Sequence, residues 1–559
     1  MALDWNDKAK KVMQRQESLE KIKEPRDSTF TDIINFVLPG LEDMQSNKGQ
    51  RGNKQGEKRY DGTGVSALQL FADGHYGYIV SPSITWIQFV MQNKELGENP
   101  AVRTWLQKLE QHYYGVFNQS NFYESISTYF EYAGAFGFAS IYSEEDVGTG
   151  MIVFRVDHPK EIYCAENKYG QVDLVHRKCM IDKRTAIDKF GKGAFDEPFL
   201  RLAEKNGFEE DEYIHAVYPR KDRDQSKSDN RNMPFESIWI LTEGEQKKNG
   251  KIIRESGYKM NPYHVWRYKK GMTPYGQGPA EDALVEIMGL NEIAKDLLRA
   301  AQLAADPPFN VPSSLEGVVD IRPRGLNFMQ NTKNEQITAI QTGANNFPIG
   351  IDREQKMIAA IERHFKVEFF ILLASQEGGA KTATEVMELM GEKAAVLGRP
   401  ITRLNTECLN PIIDRIFQIE LEGGRLPVAP PEIEDAEIDV NFVGPLAQAQ
   451  KRLFETQGIR FGLEAVIPFF ELWPETKDIP KPDESIRKVL RASGWPQEAI
   501  NDKLEVQKIR DIRAEAIQQE NMQQDMMQMA EMGEKVAKAD KLTGNKMSEA
   551  AMEGEGAVQ

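Results

Sequence analysis

A chain of 559 residues is too long for one hydrophobic core, so roughly two to four domains are expected. Its apolar fraction of 40% suits a folded protein, and no apolar run reaches the ~18–20 residues needed to span a bilayer. The net charge of −16 argues against a protein that grips duplex nucleic acid by neutralising phosphates, and fits better one that lets it pass. Cys164, Cys179 and Cys408 are scattered with no C-x-x-C pair, which speaks against a disulfide framework or a zinc site.

The N-terminus has no apolar h-region, so no secretory signal is expected. Residues 1–40 carry helical spacing (Leu19, Ile22, Ile33, Ile34, Val37) and end at Pro39-Gly40. Residues 41–64 are polar and glycine-rich, the composition of a long exposed loop. A helix follows, then a break at Ser81-Pro82 and an apolar strand. Residues 100–137 return to helical spacing with many aromatics. From about 138 to 270 short β-branched and aromatic runs predict strands, interrupted by a helix near 184–191. The run "SIWILTEGEQKKNGKIIRE" predicts a hairpin closing at Asn249-Gly250.

Residues 279–306 repeat apolar side chains at three and four, an amphipathic helix of about 40 Å. A second helix is predicted from Ile351 to about Ala374, again ~35–40 Å long. Two helices of matched length around one turn-rich insert predict an antiparallel hairpin with a small module at its tip. The loop that follows holds Gly378, Gly379 and Lys381, and Thr382 with Glu385 fits a capping box that restarts the helix. A third helix then runs to Gly423-Gly424, with kinks expected at Pro400 or Pro411. A proline-rich connector, a short strand "EIDVNFV" and further helices complete the pattern, and the last forty residues read as a flexible tail.

Motifs with catalytic meaning fail their context. "GTGVSA" (62–67) follows a polar loop instead of a strand, so it is no dinucleotide site, and "GGAKT" does not complete a phosphate loop. His176 and Cys179 have ligand-like spacing, but no second pair completes a metal site. No nucleophile–base grouping stands out. We therefore assign no catalytic residue, no metal and no cofactor.

Three stretches carry a resemblance. "HVWRYKKGMTPYGQGPAEDALVEIMGLNEIAKDLLRAAQLAADPPFNVP" contains a Tyr-Gly-x-x-Pro turn, a long helix and a Pro-Pro stop. "TATEVMELMGEKAAVLGRPITRLNTECLNPIIDRIFQI" and "NFVGPLAQAQ" follow in order. Together with the opening region these resemble the head-to-tail connector (portal) family of short-tailed, T7-like phages. One departure is that Gln277-Gly278 stand where an Arg followed by Ser or Gly is expected, which puts an arginine contact there in doubt.

The resemblance implies an α+β, mainly helical subunit that assembles into a ring, usually of about twelve copies. It implies a mixed wing over 1–278, a first stem helix at 279–306, a clip at 307–350 and a second stem helix at 351–375. A tunnel loop at 376–381 would follow, then a long kinked helix and return strand of the wing at 382–443, a helical crown at 444–519 and a tail at 520–559. Gln376, Glu377, Gly378, Gly379 and Lys381 would face DNA in the channel, re-anchored by Thr382 and Glu385. A plain surface loop is the competing reading of that segment. Arg322 and Arg324 of the clip are candidates for docking the motor or tail, or else ordinary surface charges. The implied partners are other copies of the chain, double-stranded DNA without sequence preference, the major capsid protein and scaffold, the terminase large subunit and a tail adaptor, with no membrane. The place would be a single vertex of the virion, after assembly in the host cytoplasm. Competing functions are another ring-forming virion part or a DNA-processing enzyme.

Overall fold

The computed structural model describes residues 5–41, 59–97, 99–146, 148–227, 229–243, 249–305, 309–310, 338–339, 347–374, 398–433, 437–444, 481–492, 500–501 and 503–553. These fall into two units, residues 1–458 and 459–559, taken separately below.

In the first unit the chain opens with helix α1 (Trp5–Phe36) and α2 (Thr63–Ile79), then strand β1 (Ile87–Met91). Helices α3 (Lys94–Gly97), α4 (Pro100–Gln119) and α5 (Phe122–Phe136) follow. Asn99 caps α4 by accepting from the Ala101 amide at 2.9 Å, and Pro100 occupies the first turn, where its missing N–H costs nothing. The aromatic run 100–137 is thus two helices, parted at Ser120-Asn121. Gly137, at φ +76°, ends α5 in the left-handed conformation.

Strands β2 (Phe138–Glu145), β3 (Ile152–Asp157), β4 (Ile162–Glu166) and β5 (Val172–Asp182) come next. Helices α6 (Lys183–Phe190) and α7 (Glu197–Lys205) start on the caps Asp182 and Asp196. Strands β6 (Glu210–Pro219), β7 (Phe235–Glu243), β8 (Asn249–Tyr258) and β9 (Tyr263–Arg267) complete the predicted β region. The hairpin does not close at Asn249-Gly250. Those residues lie within the ladder, paired with Glu243 and Thr242.

Five strands form an antiparallel meander in the order β4-β5-β6-β7-β8. Side chains alternate across it. Ile214, Ala216, Ile238, Ile240 and Ile252 meet Ala9 and Val12 of α1 on one face. Tyr213, Trp239, Cys179 and Ile253 meet Ala186 of α6 and Phe195 and Phe199 on the other. A second sheet, β3-β2-β9, packs on α5 in the largest core, which also gathers Phe30, Phe71, Trp86, Ile361 and Ile416.

The two-residue strands β10 (Lys269–Lys270) and β11 (Gly276–Gln277) lead into α8 (Pro279–Asp282) and α9 (Leu284–Ala305). Strands β12 (Phe309–Asn310) and β13 (Thr338–Ala339) pair antiparallel. Helices α10 (Phe347–Phe365) and α11 (Val367–Ala374) meet at Lys366, which has φ +60°. The second long helix expected over 351–374 is therefore two helices. The first is about 28 Å long at 1.5 Å per residue.

Helix α12 (Gly398–Leu404) passes through a π-turn at Asn405–Leu409 into α13 (Asn410–Glu422). The irregularity sits beside Pro411, not Pro400. A proline at 411 has no N–H for the Glu407 carbonyl and its ring crowds that oxygen; widening the turn, with Asn410 N–H reaching Asn405 O, relieves both. Gly424, at φ +63°, follows the end of the helix as expected. Strand β14 (Ile438–Phe442) returns to pair with β1. His176 and Cys179 are both buried and do not form a pair of ligands; His176 Nδ1 lies 3.0 Å from Gln16 Oε1.

In the second unit, α14 (Pro482–Ala492) and α15 (Lys503–Glu553) are joined by a two-pronged Arg510–Asp483 contact at 2.6 and 2.8 Å. The segment from 520, expected as a flexible tail, is helical as far as Glu553.

Candidate functional site: the helical hairpin and its seat

Every loop and docking residue singled out in the sequence lies outside the described residues: Gln376, Glu377, Gly378, Gly379, Lys381, Thr382, Glu385, Arg322 and Arg324. The structure gives their frame. The described part of α11 reaches Ala374 on one side of these loop candidates, and that of α12 starts at Gly398 on the other. The span 311–337 is bracketed by β12 and β13, in register Phe309↔Ala339 and Asn310↔Thr338. An insert on the hairpin is thereby pinched shut at its root.

Helices α9 and α10 run antiparallel. A Cβ on Gly289 would sit 3.2 Å from Met357 Cε, and one on Gly350 would sit 3.0 Å from Leu297 Cδ2, so small residues let each helix receive a long side chain of the other. Burial is uneven along the pair. Ile287, Leu290, Ile361 and Phe365 are buried at the base, while Val285 (80% exposed), Leu298 and Ile351 are open to water.

The base is seated on α2. Gly64, from the "GTGVSA" motif, lies against Ile287, so that glycine serves close helix packing. A methyl at Gly74 would overlap the Phe370 ring of α11. His75 lies between Phe71 (ring centroids 4.1 Å apart) and Phe370 (5.3 Å), with Nδ1 2.8 Å from the Phe71 carbonyl. Burial holds its pKa down at about 4, so the ring is neutral at pH 7.

The Tyr-Gly-x-x-Pro turn forms the hinge of this seat. Tyr275 is buried and its hydroxyl accepts from the Cys164 amide at 3.4 Å. Gly276 and Gly278 press on Gly137, where a Cβ on either would collide with backbone. Pro279 then starts α8, whose Glu281 pairs with Arg26 of α1 at 2.5 Å and whose Asp282 pairs with Lys269. No arginine is needed at 277 or 278 to hold the turn, because the steric fit of two glycines does so.

Arg267 is the residue that sequence reasoning missed. It is buried at the end of β9, and its amide and guanidinium both reach Glu407 of the π-turn, at 3.0 Å from N, 3.3 Å from Nε and 2.5 Å from Nη2. The same guanidinium contacts Glu166 of β4 and the Gly170 carbonyl. Burial works against its charge, but the bond to Glu407 and the nearby Glu166 overcome this and raise its pKa. A sheet edge, a π-turn and a hairpin are thus tied to one cation. The available signal was an arginine inside an otherwise apolar strand, "YHVWR", which must find carboxylates if it is buried.

Among the described residues no group of three His, Cys, Asp or Glu side chains is placed to hold a metal ion, and no helix is long and apolar enough to cross a membrane.

The family described as bacteriophage head to tail connecting protein matches residues 9–500. The chain is 28% identical over 461 residues to a probable portal protein of Bordetella phage BPP-1, covering 81% of each. It is 25% identical over 503 residues to the portal protein of Salmonella phage epsilon15, covering 88% of each. The chain belongs to the bacteriophage head to tail connecting proteins, a structural family of the virion at the capsid, and its function is that of the phage portal.

Proposed function

We propose that copies of this chain, about twelve in number, close into a ring by a repeated head-to-tail contact and form a channel at one capsid vertex. Double-stranded DNA passes through it on packaging and ejection. The observation that carries this reading is the family match over 9–500, joined to a helical hairpin whose insert is closed at its root by β12 and β13. In this account α9 and α10 are the stem, 307–350 the clip, 376–381 the tunnel loop and the helices after 444 the crown.

The net charge of −16 suits a conduit. A chain that neutralised many phosphates would hold the duplex instead of passing it. Lys381, repeated around the ring beside Glu377, touches phosphates transiently, and the glycines let the loop flex. The ATP chemistry belongs to a separate motor, the terminase large subunit, docked on the clip through residues such as Arg322 and Arg324 and later replaced there by the tail adaptor. The wing meets the major capsid protein and scaffold while the particle assembles in the host cytoplasm.

Replacing Lys381 by Glu is expected to lower DNA packaging or retention several-fold while rings still form, scored by packaged DNA per particle and electron microscopy. If Lys381→Glu rings fail to assemble, the lysine is structural and the tunnel-loop reading is wrong.

A further inference from the structure

On two strand edges of the first unit, outward main-chain groups are taken by side chains. On β3 the outward Phe154 N–H and C=O are bonded by the Asn121 side chain at 2.8 and 2.7 Å. On β9 the outward Arg267 amide is taken by Glu407. In the β1–β14 pair, Val443 N–H bonds Trp86 O and Gln92 N–H bonds Glu437 O. With the register Phe89↔Val440, the alternation of antiparallel pairs turns Ile87, Phe89 and Met91 outward on one side and Ile438, Val440 and Phe442 outward on the other. The β1 side is covered, since the Tyr114 hydroxyl bonds both Ile87 N–H (2.9 Å) and Ile87 O (3.2 Å), and Glu110 takes Phe89 N–H.

The β14 side differs. Among the described residues, the outward main-chain groups of Ile438 and Phe442 have no partner, and Val440 N–H is held only by the exposed carboxylate of its neighbour Asp439, at 2.8 Å. The apolar layer is also unfinished there. Ile87, Phe89 and Met91 are buried, while Phe442, Val440 and Ile438 opposite them pack on the same core but are only partly buried. A free edge and an open apolar row at the same three residues fit an added strand.

The surrounding charge narrows the occupant. Between Arg425 and Lys451 the chain has five carboxylates and no Lys or Arg, and Glu437 and Asp439 are exposed on the strand itself. A second copy of this acidic edge is a poor match for it, and a basic segment is a good one. We propose that the outer edge of β14 is a docking site for an extended basic segment of a different protein, which adds as a third strand. Its apolar residues, at alternate positions, cover Ile438, Val440 and Phe442. A Lys or Arg between them draws Asp439 away from the Val440 N–H and frees that donor. Asp439 acts as a removable guard on the edge. The inference needs only one subunit and does not depend on the ring.

The test uses the full chain and a fluorescent synthetic peptide of alternating Val and Lys, with a block isomer of the same composition as control. Fluorescence anisotropy at low salt is expected to show the alternating peptide binding at least about tenfold more tightly than the block isomer. Val440→Pro removes an outward N–H that β1 does not use, and an edge strand tolerates it. It should weaken binding about tenfold with an unchanged melting midpoint. If that variant melts early, the exposed pair Glu437→Lys and Asp439→Lys carries the test and should abolish the preference. Equal binding of the two peptides, or full binding by the lysine variant, overturns the proposal. So does concentration-dependent self-association of the wild type that Val440→Pro abolishes, since the occupant would then be a second copy.

Discussion

The five-stranded sheet and the α9–α10 hairpin are built to opposite rules. The sheet is covered on both faces and pairs several of its polar side chains internally, while the buried Tyr213 hydroxyl and His176 Nε2 have no partner among the described residues. Lys8 meets Glu236 and Glu255, Lys183 meets Asp211 at 2.6 Å, and His215 is bonded by Tyr263 and Ser237. The hairpin is buried only at its base and leaves Val285, Met288, Leu298 and Ile351 in water. An apolar side chain left open in this way contributes nothing to the lone subunit, and burying it stabilises whatever covers it, by about 25 cal/mol per Å². The contrast separates a region covered by its own chain from one whose apolar side chains are left open.

The largest expected effect breaks the hairpin's half of that contrast. Val285→Asp combined with Ile351→Asp should leave the subunit's stability within about 0.5 kcal/mol, because both sites are exposed, yet abolish assembly. Native mass spectrometry beside a urea melt reads both quantities. Rings that persist would show that this face is not where subunits meet.

Next comes the tie made by Arg267. Arg267→Ala strands Glu407 and Glu166 beside a buried vacancy and should cost about 3–5 kcal/mol in a denaturant titration. A loss under 1 kcal/mol would mean that Arg403 and Lys270, which also approach those carboxylates, suffice.

A smaller, graded effect sharpens the other half. Burial lowers the pKa of His176 and His264 to about 3 and of His75 to about 4, and pushes that of His215 well down. A histidine kept neutral in the fold binds fewer protons than in the unfolded chain. Its contribution is therefore complete above about pH 6.5 and is lost as pH falls toward the folded value, at up to ~1.4 kcal/mol per pH unit for each ring. Urea midpoints should fall steadily from pH 6.5 to 4.5. Replacing His176 by Gln should flatten the slope, whereas an unaltered slope would assign the loss to other groups.

The smallest effect concerns Lys366. An L-residue at φ +60° is strained, and Lys366→Gly should stabilise the subunit by up to about 1 kcal/mol, read as a raised melting midpoint.

The same contrast explains what was legible in the sequence. The helix near 184–191 and the helical run from 100 were legible because their starts are capped locally, by Asp182 and Asn99. The sheet's alternation is visible because each strand has one fixed face, whereas the helix behind Asp196 was not read. The break at Lys366 was hidden, since a lysine forced into the left-handed region by the packing of Phe365 and Phe370 has no local signature. The hairpin closure was misplaced for a related reason: Asn249-Gly250 is a good turn sequence, but Gly250 is placed in β8 close to Ile240 and Met13. The irregularity beside Pro411 was legible as an expected kink, whereas the tie of Glu407 to Arg267 was not, because it spans 140 residues of chain. The loop residues around Lys381 were read from glycines and a capping pattern, and the described structure supplies only their flanks.

The most direct test of the connector account is electron microscopy of the purified chain, with native mass spectrometry on the same sample. The account predicts uniform rings with a central hole and one subunit count. A stable monomer or dimer at high concentration, with no ring under any salt condition, would contradict it.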